Sequence, residues 1–116
     1  KGGFEQKCFC NAIKEFLESQ EFIVRLEGMM QGSVKAFDVL AWKKGEGMFG
    51  YEVTLHFHNL IKNLEDDLGT TVKKVVVVCC NKDELEKAKA IVRNSLGQQN
   101  RVEFKTIYEF TKEKID

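Results

Sequence analysis

Two acidic residues occupy strand positions where apolar side chains are usual. In Met48–Leu55, period-two alternation points Phe49, Tyr51, Val53 and Leu55 one way and Met48, Gly50, Glu52 and Thr54 the other. Glu52 therefore leaves the apolar face. On the preceding candidate strand, Val34–Trp42, Asp38 shares a face with Leu40 and Trp42, a poor place for a carboxylate unless something there needs negative charge. A hairpin that closes with Lys43 opposite Phe49 puts Asp38 opposite Thr54, on the same sheet face as Glu52. Two neighbouring carboxylates and the carbonyl of Val53 would form an oxygen donor set for a hard cation, Mg2+ or Mn2+. Such a cation could bind a scissile phosphate, lower the pKa of a bound water and offset the charge that develops as a phosphodiester breaks, with a nearby lysine orienting the water.

The elements that must position these groups follow from hydrophobic periodicity. Phe9, Ala12, Ile13, Phe16 and Leu17 recur at helical spacing through Phe4–Ser19, with Lys14, Glu15 and Glu18 on the other side. Phe22–Leu26 is β-branched and precedes Gly28 and Gly32, so a strand runs into a loop. Lys43-Lys44-Gly45-Glu46-Gly47 suits a hairpin connection between the second and third strands. Phe57, Leu60, Ile61, Leu64 and Leu68 then mark a second helix, Phe57–Leu68, with Asn59, Lys62, Asn63 and Asp66 on its polar side. Val72–Cys80 carries four consecutive valines, a pattern of burial on both faces and hence of an internal strand. Asn81-x-x-Glu84 resembles a capping box opening a third helix that ends near Gly97, Val102–Lys105 is a short strand, and Thr106-x-x-Glu109 opens a terminal helical segment. The order αβββαβαβα, a meander joined to a right-handed crossover unit, implies an α/β three-layer sandwich around a mixed sheet.

Composition bounds the alternatives. The chain has 116 residues, 43% of them hydrophobic and no proline, which suits a single domain with one core. Its 18 basic residues balance 18 acidic ones, so net charge argues for neither a nucleic acid nor a membrane surface as partner. No apolar run approaches the ~20 residues of a membrane span. The opening Lys1-Gly2-Gly3, without an initiator methionine, suggests a fragment of a longer protein with a fused or associated domain. Cys8, Cys10, Cys79 and Cys80 fit neither a disulfide framework nor a zinc ribbon and read as reduced, small apolar residues of a cytoplasmic protein. His56 and His58 read as solvated or capping groups, because no third ligand lies adjacent to make a zinc site.

In order and spacing the chain resembles the PD-(D/E)xK, restriction-endonuclease-like nuclease superfamily. The segments that carry the likeness are Phe22-Ile-Val-Arg-Leu, a loop, Phe37-Asp38-Val-Leu-Ala, a turn, Gly50-Tyr51-Glu52-Val53-Thr54, then a helix and the strand Val75–Cys79. The resemblance implies a metal-dependent DNA endonuclease, with Asp38 and Glu52 as catalytic metal ligands and Thr54 at the position of the assisting lysine. Thr54 can hydrogen-bond a water or phosphate but brings no positive charge. The first substitute is Lys62 on the polar side of the next helix, with Lys35 on the second strand behind it. Asn59 and Asn63, with Lys62 and Lys35, would contact nucleic acid. Relatives often carry a glutamate in the first helix, a position that falls near Cys10 or Asn11 here, with Glu15 and Glu18 available in another register. Two alternatives stand beside a nuclease: a non-catalytic module that keeps the fold to bind nucleic acid or a protein, and a plain interaction domain in which both acids are surface charges.

Overall fold

The helical stripe of the N-terminal segment becomes α1 (Phe4–Ser19), which buries Cys10, Ile13 and Leu17. The structure, a computed structural model, describes residues 3–33 and 35–111. After α1 come β1 (Ile23–Met29), β2 (Ala36–Lys43), β3 (Gly47–Val53), α2 (Leu60–Leu68), β4 (Lys74–Cys79), α3 (Lys82–Leu96), β5 (Val102–Thr106) and a 3-10 turn at Ile107–Phe110. Val34, expected to begin the second strand, lies outside the described residues. The expected terminal helix is, among the described residues, the 3-10 turn alone, opened by a Thr106–Glu109 capping box.

The five strands stand in chain order in one sheet. β1, β2 and β3 form an antiparallel meander, and β4 and β5 then add in parallel, each after a helical crossover. Crossovers of one hand that progress in one direction place their helices on one face. Accordingly α2 and α3 pack with Val75, Val77 and Cys79 on one side, while α1 and the 3-10 turn pack with Val76 and Val78 on the other. The valine run is thus buried on both faces, with β4 between β3 and β5. This arrangement fits a three-layer α/β architecture.

Local signals account for the boundaries. The Asn81 side chain accepts the Glu84 amide at 2.8 Å and starts α3. α2 begins at Leu60 rather than Phe57, because Phe57 instead closes a turn through its carbonyl to the Leu60 amide. At its other end the Arg101 guanidinium donates to the carbonyls of Leu68, Thr70 and Val72, pinning the chain where it leaves α2 for β4.

The β2–β3 hairpin corrects the expected register. Lys43 lies opposite Gly47, not Phe49, and Val39 opposite Tyr51. Gly45, at φ 85°, permits a three-residue loop, which closes the hairpin two residues earlier than expected. A two-residue slip preserves which face each side chain takes.

Gly50 has a specific reason to lack a side chain. A β-carbon there would lie 2.4 Å from two carbons of the fully buried Phe37 ring. Gly50→Ala is expected to destabilise the fold by about 1–3 kcal/mol through overpacking, seen as a lower urea midpoint at unchanged slope.

Candidate functional site

The alternation of β2 breaks where its acid sits. Phe37 and Leu40 both pack toward α2 and α3, whereas Val39 packs toward α1. The last regular pair of the β2–β3 ladder is Val39 with Tyr51. Beyond it the Val53 amide, which a β2 carbonyl would otherwise accept, donates to the Asp38 carboxylate at 2.8 Å. Gln6 on α1 donates to the other carboxylate oxygen at 3.1 Å. Asp38 is therefore fixed at the open end of the ladder by contacts from β3 and α1. On the neighbouring strand Glu27 takes φ 50°, a left-handed conformation that non-glycine residues rarely hold without a local reason.

Glu52, next to Val53, projects on the side of α2 and is only 6% exposed. Its Oε2 lies 3.2 Å from the Lys35 ammonium, which also lies 3.5 Å from Oδ1 of the fully buried Asp67. Neither Oε2 of Glu52 nor either Asp67 carboxylate oxygen has a hydrogen-bond partner of good geometry, so the ammonium holds them through charge more than through directed bonds. Burial raises both carboxyls, and their mutual proximity favours one shared proton over two negative charges. Burial works against the Lys35 ammonium, yet Glu52 and Asp67 more than offset that and raise its pKa.

Asp38 and Glu52 open on one hollow of about 500 Å³, lined also by Lys35, Val53, Thr54, Asn59 and Asn63. The shared-face argument needs correction in its geometry: Asp38 is held from the α1 side and Glu52 from the α2 side, and the two meet at the end of the strands. Lys62 does not reach this hollow. It is 78% exposed and pairs with Asp66 one helical turn on, because the polar face of α2 turns outward. Thr54 is buried, and its hydroxyl meets the Glu52 carbonyl at 3.4 Å. Residue Gln6, rather than Cys10 or Asn11, is the α1 side chain that touches Asp38. Cys10 lies close by, its thiol pushed up to about 12 by burial and by Asp38, Glu27 and Glu52, so it is an inert thiol. His56 and His58 are exposed on the rim with ring centres 6.4 Å apart. All four cysteines are unbridged.

Asp38 is pushed up from 3.8 to about 6, first by burial and then by the Glu52 carboxyl, against the opposing pull of the Val53 amide and Lys35. A carboxyl raised in the folded state stabilises fully below its unfolded pKa, and that stability is lost as pH rises through the folded value. Unfolding free energy is therefore expected to carry a contribution from Asp38 that declines between about pH 4 and pH 7 by about 3 kcal/mol. Urea titrations of Asp38→Asn should lack it; an identical pH slope in wild type and variant refutes the shift.

The donor chemistry fits a hard divalent cation. Carboxylate oxygens are ligands that Mg2+ or Mn2+ prefers over softer donors, although both Asp38 oxygens already accept hydrogen bonds and Oε2 of Glu52 faces Lys35, contacts that a cation would replace or share. Among the described residues no three or more His, Cys, Asp or Glu side chains group into a metal cage. A cation here would rest on Asp38, Glu52, the Val53 carbonyl and oxygens from solvent or substrate, as Mg2+ commonly does. No described helix is long and apolar enough to cross a membrane. Comparison with protein-family models, with curated proteins and with solved structures finds no match to this chain.

Proposed function

We propose that the chain is a nuclease-like domain of restriction-endonuclease-like fold that acts on DNA by divalent-metal-dependent phosphodiester hydrolysis. The observation that carries this reading is the convergence of Asp38, Glu52 and Lys35 on one hollow at the diverging ends of β2 and β3. Asp38, Glu52 and the Val53 carbonyl would hold Mg2+ or Mn2+, which when bound would offset negative charge on a phosphate oxygen and acidify water. Lys35, in place of Lys62, provides the ammonium that Thr54 lacks and orients the attacking water. Asn59 and Asn63, at the start of α2, contact phosphate or sugar across the hollow.

One observation favours a second reading, a non-catalytic DNA-binding module: Glu52 already has a cationic partner in Lys35. Calorimetry with Mn2+ separates the readings from the plain interaction domain. The nuclease reading expects one bound equivalent, lost in Glu52→Ala, and Mn2+-dependent cleavage of duplex, single-stranded or branched DNA. No Mn2+ uptake at millimolar concentration overturns it. Metal-independent, salt-sensitive DNA binding without cleavage supports the module instead.

A further inference from the structure

Asp67 is fully buried, yet both its carboxylate oxygens lack hydrogen bonds, and the cation that faces it is Lys35 at 3.5 Å. A carboxylate in that state is expensive to keep, and nothing in α2 itself requires one at that position. Its place is tightly determined. The Asp67 carbonyl accepts the Thr70 hydroxyl at 2.7 Å, and Arg101 pins the carbonyls of Leu68 and Thr70, which follow it in the chain. Opposite it, the same ammonium reaches Glu52 at 3.2 Å.

We infer that Asp67 is a positioning residue for Lys35: from α2 it holds the ammonium beside Glu52 and cancels its charge, so that a cation and a lysine can share one small site. The inference rests on the functional reading above and adds what makes it electrostatically workable. An ammonium near Glu52 repels any divalent cation bound there, and it also competes for the carboxylate. With Asp67 opposite, much of that repulsion is neutralised, and the ammonium keeps a partner when the cation takes Glu52. Without Asp67, Lys35 has Glu52 alone and opposes the metal.

The test is a double-mutant cycle on Mn2+ affinity in the full chain, with thermal melts to confirm folding. Asp67→Asn is expected to weaken Mn2+ binding about tenfold, and Asp67→Asn combined with Lys35→Met to restore it to near the wild-type value. A purely structural Asp67 predicts no restoration, and a double variant as weak as Asp67→Asn overturns the inference. A second measurement needs no metal. Lysine ammonium 15N–1H spectra should show a slowly exchanging Lys35 signal in the wild-type protein, and loss of that signal in Asp67→Asn is the expected result wherever this variant folds. A Lys35 ammonium that exchanges too fast to observe in wild type, or a signal unchanged by Asp67→Asn, overturns the inference. If the wild-type chain takes up no Mn2+ while the Lys35 signal behaves as expected, the functional reading fails and the Lys35–Asp67 placement stands by itself.

Discussion

Lys35→Met is expected to destabilise the fold by about 3–5 kcal/mol at pH 7, the usual cost of stripping one partner from a buried ion-paired cluster. The ammonium is the cation facing Oε2 of Glu52 and Oδ1 of Asp67, and without it the two carboxyls keep only the proton they share. Methionine keeps much of the volume and removes the charge, so the loss is electrostatic. Its pH dependence distinguishes it from simple loss of packing. Lys35 pulls both carboxyl pKa values down against burial, and without it they rise further. Carboxyls raised in the folded state stabilise fully below their unfolded pKa and lose that contribution as pH rises. The deficit of the variant should therefore be small near pH 4 and full at pH 7, where the unfolded chain ionises both acids freely. Urea unfolding of both proteins at the two pH values measures it. A deficit under about 1 kcal/mol at pH 7, or one that is the same at pH 4, would mean that the three groups are solvated and act independently.

What the sequence made legible, and what it hid, follows from the range over which each signal acts. α1, the double-sided valine strand and the Asn81 cap are set by residues within a few positions of one another, and they appear where periodicity puts them. The nearness of Asp38 and Glu52 was readable from strand register, since a hairpin that closes at Lys43–Gly47 brings their positions close to level, but the shared sheet face expected for them does not hold. The reason for that nearness was less accessible: alternation breaks at Phe37–Val39, and Asp38 leaves the sheet face to cap the Val53 amide. Which lysine enters the hollow depends on how α2 is rotated against the sheet, and this orientation turns Lys62 outward toward Asp66. Asp67 did carry a sequence signal. It follows Leu60 and Leu64 at helical spacing, so it is an acid on the apolar stripe of α2, where an unpaired charge is least tolerable. Gln6 carried a signal of the same kind, four residues before Cys10 and seven before Ile13 on the stripe of α1 that packs against the sheet, although its partner could not be read from that spacing.

The second large effect concerns the residue that sets the break in β2. Phe37→Ala is expected to cost about 3–5 kcal/mol, the range for truncating a fully buried phenylalanine. Its ring fills the space over Gly50, close enough that an added β-carbon there would clash, so truncation opens a cavity between β3 and α2. The same geometry makes Phe37 and Gly50 strongly non-additive. Gly50→Ala, damaging alone, should become neutral or stabilising in the Phe37→Ala background, because the new methyl then occupies emptied space and lowers the backbone entropy of the unfolded chain. Equal effects of Gly50→Ala in both backgrounds would show that the ring does not lie against that glycine. The loss also reaches the site. Phe37 immediately precedes Asp38 and anchors the backbone there, so the hydrogen bond from the Val53 amide to Asp38 should open more often in the variant. Hydrogen exchange at Val53 is then expected to speed up by more than at Val77, which lies deep in β4. Uniform acceleration at both amides would instead mean global destabilisation, with Asp38 seated independently of the ring beside it.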